Sequence, residues 1–330
     1  MKKIFFILIL TSLFFFNGCS KKLENKAIAL FIPGIVDNSP VYAMLKNGVE
    51  ESVKEYNSKN ENPVELFVME AGTNQSEWLG QLTSLVATNK YDVIISSNPS
   101  LPELALEILK KFPTQKFIFL DANLEGNSNI RTVCYNQYEQ SYVTGFIGGL
   151  VSKSHKLALI AAQEYPVMNE IIYPYFEKGA KSANENSKVE FRVVGNWYDA
   201  TKGAELAKSV IKNGVDVILP ICGGASQGVI QSAVENKIYI TWFDDDGFDK
   251  APGTIISSST MEQKKMAKEI TDEYLSGKTP WGTSSMVGIK EGYVNFIEDS
   301  PNYIATVSEE NRTKMSKLLE DIKTGNVTIK

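Results

Sequence analysis

Residues 215–246 read VDVILPICGGASQGVIQSAVENKIYITWFDDD, and the fold turns on how they are parsed. Val215 to Pro220 is, apart from Asp216, a short apolar run, as expected of a strand covered on both faces. Gly223-Gly224 break the run, Gly228 to Glu235 has helical spacing, and Ile238 to Phe243 is a second apolar run ending at Asp244-Asp245-Asp246. A strand, a glycine turn, a helix and a strand form the unit from which parallel sheets are built.

Working outward, the same rhythm fills the chain. Strands are predicted at Ala27–Ile32, Val64–Met69, Tyr91–Ser96, Lys116–Leu120, Lys156–Ala161 and Val189–Val194. Helices are predicted at 40–56, 75–90, 102–111, 140–151, 169–185 and 202–213. The predicted fold class is α/β, with parallel sheets flanked by helices. The 330 residues suffice for two such lobes, each with its own core.

Composition narrows the function. A formal charge of −5 argues against a broad basic surface, so no nucleic-acid partner is expected. His155 is the single histidine, which excludes a His-rich metal centre, and no metal or catalytic residues are assigned. No Gly-x-Ser-x-Gly elbow and no P-loop occur, so neither a serine hydrolase nor a nucleotide hydrolase is supported. Lys2 and Lys3 precede an apolar run at 4–16 that is too short for a durable membrane span and reads as a secretory signal over 1–18. Residues 19–26 then form a polar tether. Cys134 and Cys222 lack metal or redox spacing and are either one disulfide or two thiols.

Ligands of open parallel sheets sit beyond the carboxyl ends of the strands. The loops there carry Asp37 and Ser39, Asn74 and Gln75, Ser97 and Asn98, Gly223 and Gly224, and Asp244 and Asp245. Tyr42, Trp78, Tyr135, Trp197 and Tyr198 lie beside them. Flat rings and short polar arms suit a planar, heteroaromatic, hydroxylated ligand. Asn74, Gln75, Asn98, Asn136 and Gln140 are amides able to read a pyrimidine edge, and Asp244 and Asp245 could accept from hydroxyls. Plainer readings stand beside these. Gly223-Gly224 also serves as an ordinary strand-to-helix turn, the aspartate run as a solvated loop or magnesium site, and Trp197-Tyr198 as core.

The segment Gly195-Asn196-Trp197-Tyr198-Asp199-Ala200-Thr201-Lys202-Gly203 resembles a motif of the basic membrane protein family of substrate-binding lipoproteins. The likeness continues through Gly223–Val229 and Trp242–Asp246. Phe31–Gly34, Ser39–Leu45, Tyr135–Gln140 and Glu164–Met168 are most similar to its riboflavin-binding members and bring Met168 into the expected site. The resemblance implies a two-lobed type I periplasmic-binding fold, a ligand cleft between lobes, and ABC permease and ATPase partners. Phe16-Asn17-Gly18-Cys19, directly after the apolar run, resembles a bacterial lipoprotein signal, which implies lipidation at Cys19 and anchorage at the bacterial cell membrane, facing the periplasm.

By the same resemblance, Tyr42 and the Trp197 position stack the ligand and Asp244 meets its sugar-like chain. A lysine of the nucleoside-binding members, expected near Thr260 or Met261, has no counterpart. Riboflavin is therefore the expected transported ligand, with no resident cofactor. A purine nucleoside is the alternative within the family, and a surface adhesin or signalling receptor the alternative outside it. The expected lobes are 27–134 with 252–279, and 135–251 with 280–330.

Overall fold

A computed structural model describes residues 26–330. The signal segment, Cys19 and the tether up to residue 25 lie outside the described residues.

The first lobe begins with β1 (Ala27–Ile32), α1 (Pro40–Lys59), β2 (Glu65–Glu70), α2 (Gln75–Ala87), β3 (Val93–Ser97), α3 (Leu101–Leu109), β4 (Lys116–Leu120) and β5 (Ile130–Tyr135). The second takes α4 (Gln137–Val151), β6 (Lys156–Ala161), α5 (Tyr173–Ala183), β7 (Lys188–Val193), α6 (Ala200–Lys212), β8 (Val217–Ile221), α7 (Ser226–Asn236), β9 (Tyr239–Asp244) and β10 (Ile255–Met261). The chain returns to the first lobe with α8 (Gln263–Leu275) and β11 (Ser284–Val287). It then completes the second with β12 (Val294–Phe296), α9 (Pro301–Thr306) and α10 (Glu309–Lys323).

Two six-stranded sheets result, ordered β11-β5-β4-β3-β1-β2 and β12-β10-β9-β8-β6-β7. All pairings are parallel except β10 with β12. Apart from β11 and β12 the two orders are the same, so the lobes repeat one winding. Strands β1, β3 and β4 are buried almost throughout, which is why their sequences lack alternation.

Three crossovers join the lobes, and the expected boundaries need correction at two of them. The first, at Tyr135–Gln137, falls beside the expected boundary at 134/135. The second lies at Met261–Gln263, because β10 pairs with β9 and stays in the second sheet. Gly253, with φ +79°, turns the chain into that strand rather than out of the lobe. The third lies between β11 and β12, because Ser284–Val287 pairs with β5 in the first sheet. Helix α8 belongs to the first lobe, where it lies along α1 with Lys264 on Glu51 and Lys268 on Glu55. One apolar cluster runs from Leu30 and Ile118 through Tyr135, Met261 and Ile289 to Ile160 and Ile240, so the core is continuous across the hinge.

Candidate functional site

The carboxyl ends of both sheets face one cleft, and polar residues there serve the helices first. Ser39 caps α1 by accepting from Tyr42 N–H, and Asn74 caps α2 by accepting from Ser76 N–H. Asn136 caps α4, and Asp199 caps α6. A cap of this kind satisfies an orphan amide at a helix start and typically stabilises by about 1 kcal/mol. These positions therefore read as binding loops in sequence while their side chains hold the scaffold.

Several expected site residues are engaged by the scaffold, and two of them lie in the core. Trp78 is buried under α2 with Leu82 and Leu85, and its indole N–H donates to the Gly72 carbonyl at 2.9 Å. Met168 is fully buried in the second lobe among Leu159, Ile172 and Phe176. The Tyr135 hydroxyl donates to Gln263 Oε1 at 2.6 Å, and Gln263 Nε2 donates to Ser97 Oγ at 2.7 Å. That chain is buried and ties the first crossover to the second. Asn136 donates to the Lys330 carbonyl at 3.4 Å. Gln75 is exposed on Ser100, and Asp37 is exposed in a 3-10 turn. Asp245 accepts from the Trp242 indole at 2.6 Å and pairs with Lys250 at 3.1 Å, so its charge is answered locally. Cys134 and Cys222 are both free thiols.

Tyr42, Asn98, Trp197, Tyr198, Gly223, Gly224 and Asp244 follow or end strands on the cleft side, and Gln140 is buried behind Asp244. The aromatic rings rest on glycines. A Cβ on Gly34 would come to 2.5 Å from the Tyr42 ring, and one on Gly223 to 3.3 Å from the Trp197 ring. Gly223 also has φ +55°, a conformation that favours glycine. Burial pushes the Tyr42 phenol up to about 12, opposed by a hydrogen bond with Asn98 and reinforced by Asp121 and Tyr198. Tyr198 itself is 57% exposed at the lip of the second lobe.

Asp121 was not legible as a site residue, although it stands directly after β4 as Asp244 ends β9. Both have left-handed backbones, φ +50° and +75°. Each is held by a glutamine from one helix: Gln137 Nε2 donates to Asp121 Oδ1 at 3.1 Å, and Gln140 Nε2 to Asp244 Oδ1 at 3.3 Å. Burial, with the Asp244 charge added, pushes the Asp121 carboxyl up to about 7. Burial likewise pushes Asp244 up to about 7, with Gln140 opposing and Asp245 adding. The Tyr165 phenol lies near both carboxyls and is raised, by burial first and then by their charges.

Beside Asp244 opens a cavity of about 490 Å³ between Met44 of α1 and the ends of β9, β10 and β12. Asp244, Asp245, Asp246, Glu262, Glu298 and Asp299 line it, together with Thr260 and Met261, and among the described residues no lysine or arginine does. Among the described residues no cluster of His, Cys, Asp and Glu has metal-binding geometry. Rings, amides and carboxylates on opposed lobes can stack a flat ligand and accept its N–H and O–H donors.

Two lobes of this winding, hinged by three crossovers around such a cleft, define the two-lobed type I periplasmic-binding fold. Solved structures share the architecture. An ABC transporter solute-binding protein from Aeropyrum pernix K1 superposes with a TM-score of 0.77 over 92% of each chain, at 16% identity. A transcriptional activator of the comK gene from Bacillus halodurans superposes at 0.70 over 91% of this chain and 99% of that one, at 20% identity. Residues 25–327 match the family model of Bmp, the PnrA-like ABC transporter substrate-binding proteins, and the chain belongs to that family. Basic membrane protein A1 of Borrelia garinii subsp. bavariensis is 26% identical over 323 residues, 95% of this chain and 93% of that protein. The ABC transporter nucleoside-binding protein BmpA of Lactococcus lactis subsp. cremoris is 23% identical over 256 residues, 72% of this chain and 71% of that protein. The protein is thus a substrate-binding component of an ABC transporter, a class that works with permease and ATPase partners. Among the described residues no helix is long and apolar enough to cross a membrane.

Proposed function

We propose that the cleft captures riboflavin and that the chain, lipid-anchored through Cys19, presents it to an ABC permease. The observation that carries this reading is the pairing of glycine-seated aromatic rings with a cavity beside Asp244 whose charged lining, among the described residues, is carboxylate. Tyr42 and Trp197 would stack the isoalloxazine, each ring adding about 0.5–1.5 kcal/mol beyond area burial. Asn98 would read the pyrimidine edge, and Asp121 or Asp244 would accept its imide N–H or the ribityl hydroxyls. The cavity beside Asp244 has room for a polyhydroxyl tail, since ligand pockets commonly span about 300–1,000 Å³. Thr260 and Met261 line it where the nucleoside-binding pattern expects a lysine.

Purine nucleoside capture is the second reading. It is favoured by the nucleoside-binding relative from Lactococcus lactis and by the same ring-and-carboxylate chemistry. Flavin fluorescence tests the proposed stacking. Riboflavin emission is expected to be quenched on titration with the protein, and Tyr42→Ala and Trp197→Ala are each expected to weaken binding about tenfold, the worth of 1.4 kcal/mol. Unchanged affinity in both variants would remove the rings from the site.

A further inference from the structure

Gln263 opens α8 at the second crossover and is fully buried, as Tyr135 and Ser97 nearly are. Its amide uses both ends. Oε1 accepts from the Tyr135 hydroxyl at 2.6 Å, and Nε2 donates to Ser97 Oγ at 2.7 Å. An apolar side chain would fill the same space without the cost of desolvating an amide, so a buried amide is tolerated where its partners satisfy it. The bond to Tyr135 ties one crossover to another. The bond to Ser97 does not, because Ser97 ends β3 and belongs to neither.

That strand end is held at three successive residues. Ser96 Oγ donates to the Phe31 carbonyl, shortly before Gly34, on which the Tyr42 ring rests. Ser97 is held by Gln263 from 166 residues further along the chain. Asn98 Oδ1 accepts from the Ser100 N–H at 3.0 Å and from Ser100 Oγ at 2.6 Å, while the Asn98 side chain also bonds the Tyr42 phenol. Hydrogen bonds weaken steeply once the donor angle falls below about 120°. A shift of Ser97 is therefore passed to Asn98 and from there to Tyr42.

We propose that Gln263 is a positioning residue for ligand binding: by holding Ser97 it fixes where Asn98 and the Tyr42 ring meet the bound molecule. Gln263 itself touches no ligand and acts through Ser97 and Asn98. The inference rests on the placing of Tyr42 and Asn98 in the site under the proposed function, and it holds for either flat ligand.

Calorimetric titration of the wild type with riboflavin and with inosine comes first, and the variants are then titrated with whichever binds more tightly. Gln263→Leu is expected to weaken that binding about tenfold, and Ser97→Ala, which leaves Gln263 on Tyr135, about as much. In an Asn98→Ala background, Gln263→Leu should cost less than ~2-fold further, since residues acting through one contact are not additive. Leu85→Ala controls for lost stability. It removes core packing on α2 in the same lobe and should leave affinity within ~2-fold of the wild type. Urea unfolding gives the stability of each variant. An affinity loss in Leu85→Ala equal to that in Gln263→Leu would make the role merely structural and overturn the proposal. So would a tenfold loss that persists with Asn98→Ala, or unchanged affinity in Ser97→Ala. Inosine binding without riboflavin binding would end the riboflavin reading and leave this test intact, whereas binding of neither would overturn both.

Discussion

Asp121 and Asp244 carry an energetic cost that the rest of the molecule tolerates. A carboxyl whose folded pKa is raised to about 7 holds a proton that the unfolded chain releases near pH 4. Its penalty is therefore absent in acid, grows as pH rises from about 4, and is complete above about 7. Asp121→Asn and Asp244→Asn should each stabilise the ligand-free protein at pH 8 by at least about 1 kcal/mol, one pKa unit's worth after discounting for partial solvent access. At pH 4 the gain should vanish, and urea unfolding at the two pH values reads the difference. Tyr42, Trp197 and Asp244 were singled out because each follows or ends a strand of the predicted rhythm, and the structure places each of them there. Asp121 obeys the same rule after Leu120, but no ring, glycine pair or acidic run stands beside it in the loop to mark it. Trp78 misled in the other direction. Its loop is rich in amides, but Trp78, Leu82, Leu85 and Val86 share one helical face, and that spacing places it in the core.

The second lobe is assembled at the scale of its elements by glycine contacts between α4 and α5. A Cβ on Gly179 would collide with the Tyr142 carbonyl, and one on Gly145 with the Phe176 carbonyl. Gly179→Ala should therefore cost about 1–3 kcal/mol through overpacking. Gly80 lies in α2 with nothing within 4 Å of an added Cβ. Gly80→Ala should instead stabilise by about 0.5–1 kcal/mol, since alanine favours a helix interior. Chemical denaturation of both variants measures the contrast. The central strands of the repeated winding, such as β1, β3, β6 and β8, were readable because burial on both faces leaves a nearly unbroken apolar run, whereas the edge strands β2 and β7 are half-exposed. The crossover strands were not readable. Ile255–Met261 is half serine and threonine, and Ser284–Val287 is four residues at a sheet edge, so neither offers the pattern that marks a central strand. The lobe boundaries shifted with them.

For the molecule as a whole, the proposed choice of ligand turns on the arrangement of charge. The cavity beside Asp244 is lined by carboxylates and offers no lysine or arginine to a phosphate. Riboflavin should bind at least ~10-fold more tightly than flavin mononucleotide, and Asp244→Asn should narrow the gap, as competition titrations will read. Asp245, expected beside it in that role, is instead engaged by Trp242 and Lys250, so its removal should affect the gap less. The central claim is that two hinged lobes capture a flavin through rings and carboxylates. Its most direct test is calorimetric titration of one ligand-free preparation with riboflavin and, in parallel, with guanosine and inosine. Saturable riboflavin binding with submicromolar affinity, on the order of −8 kcal/mol or better, and at least ~10-fold weaker nucleoside binding is the predicted result. Tight guanosine or inosine binding with no heat from micromolar riboflavin would contradict it.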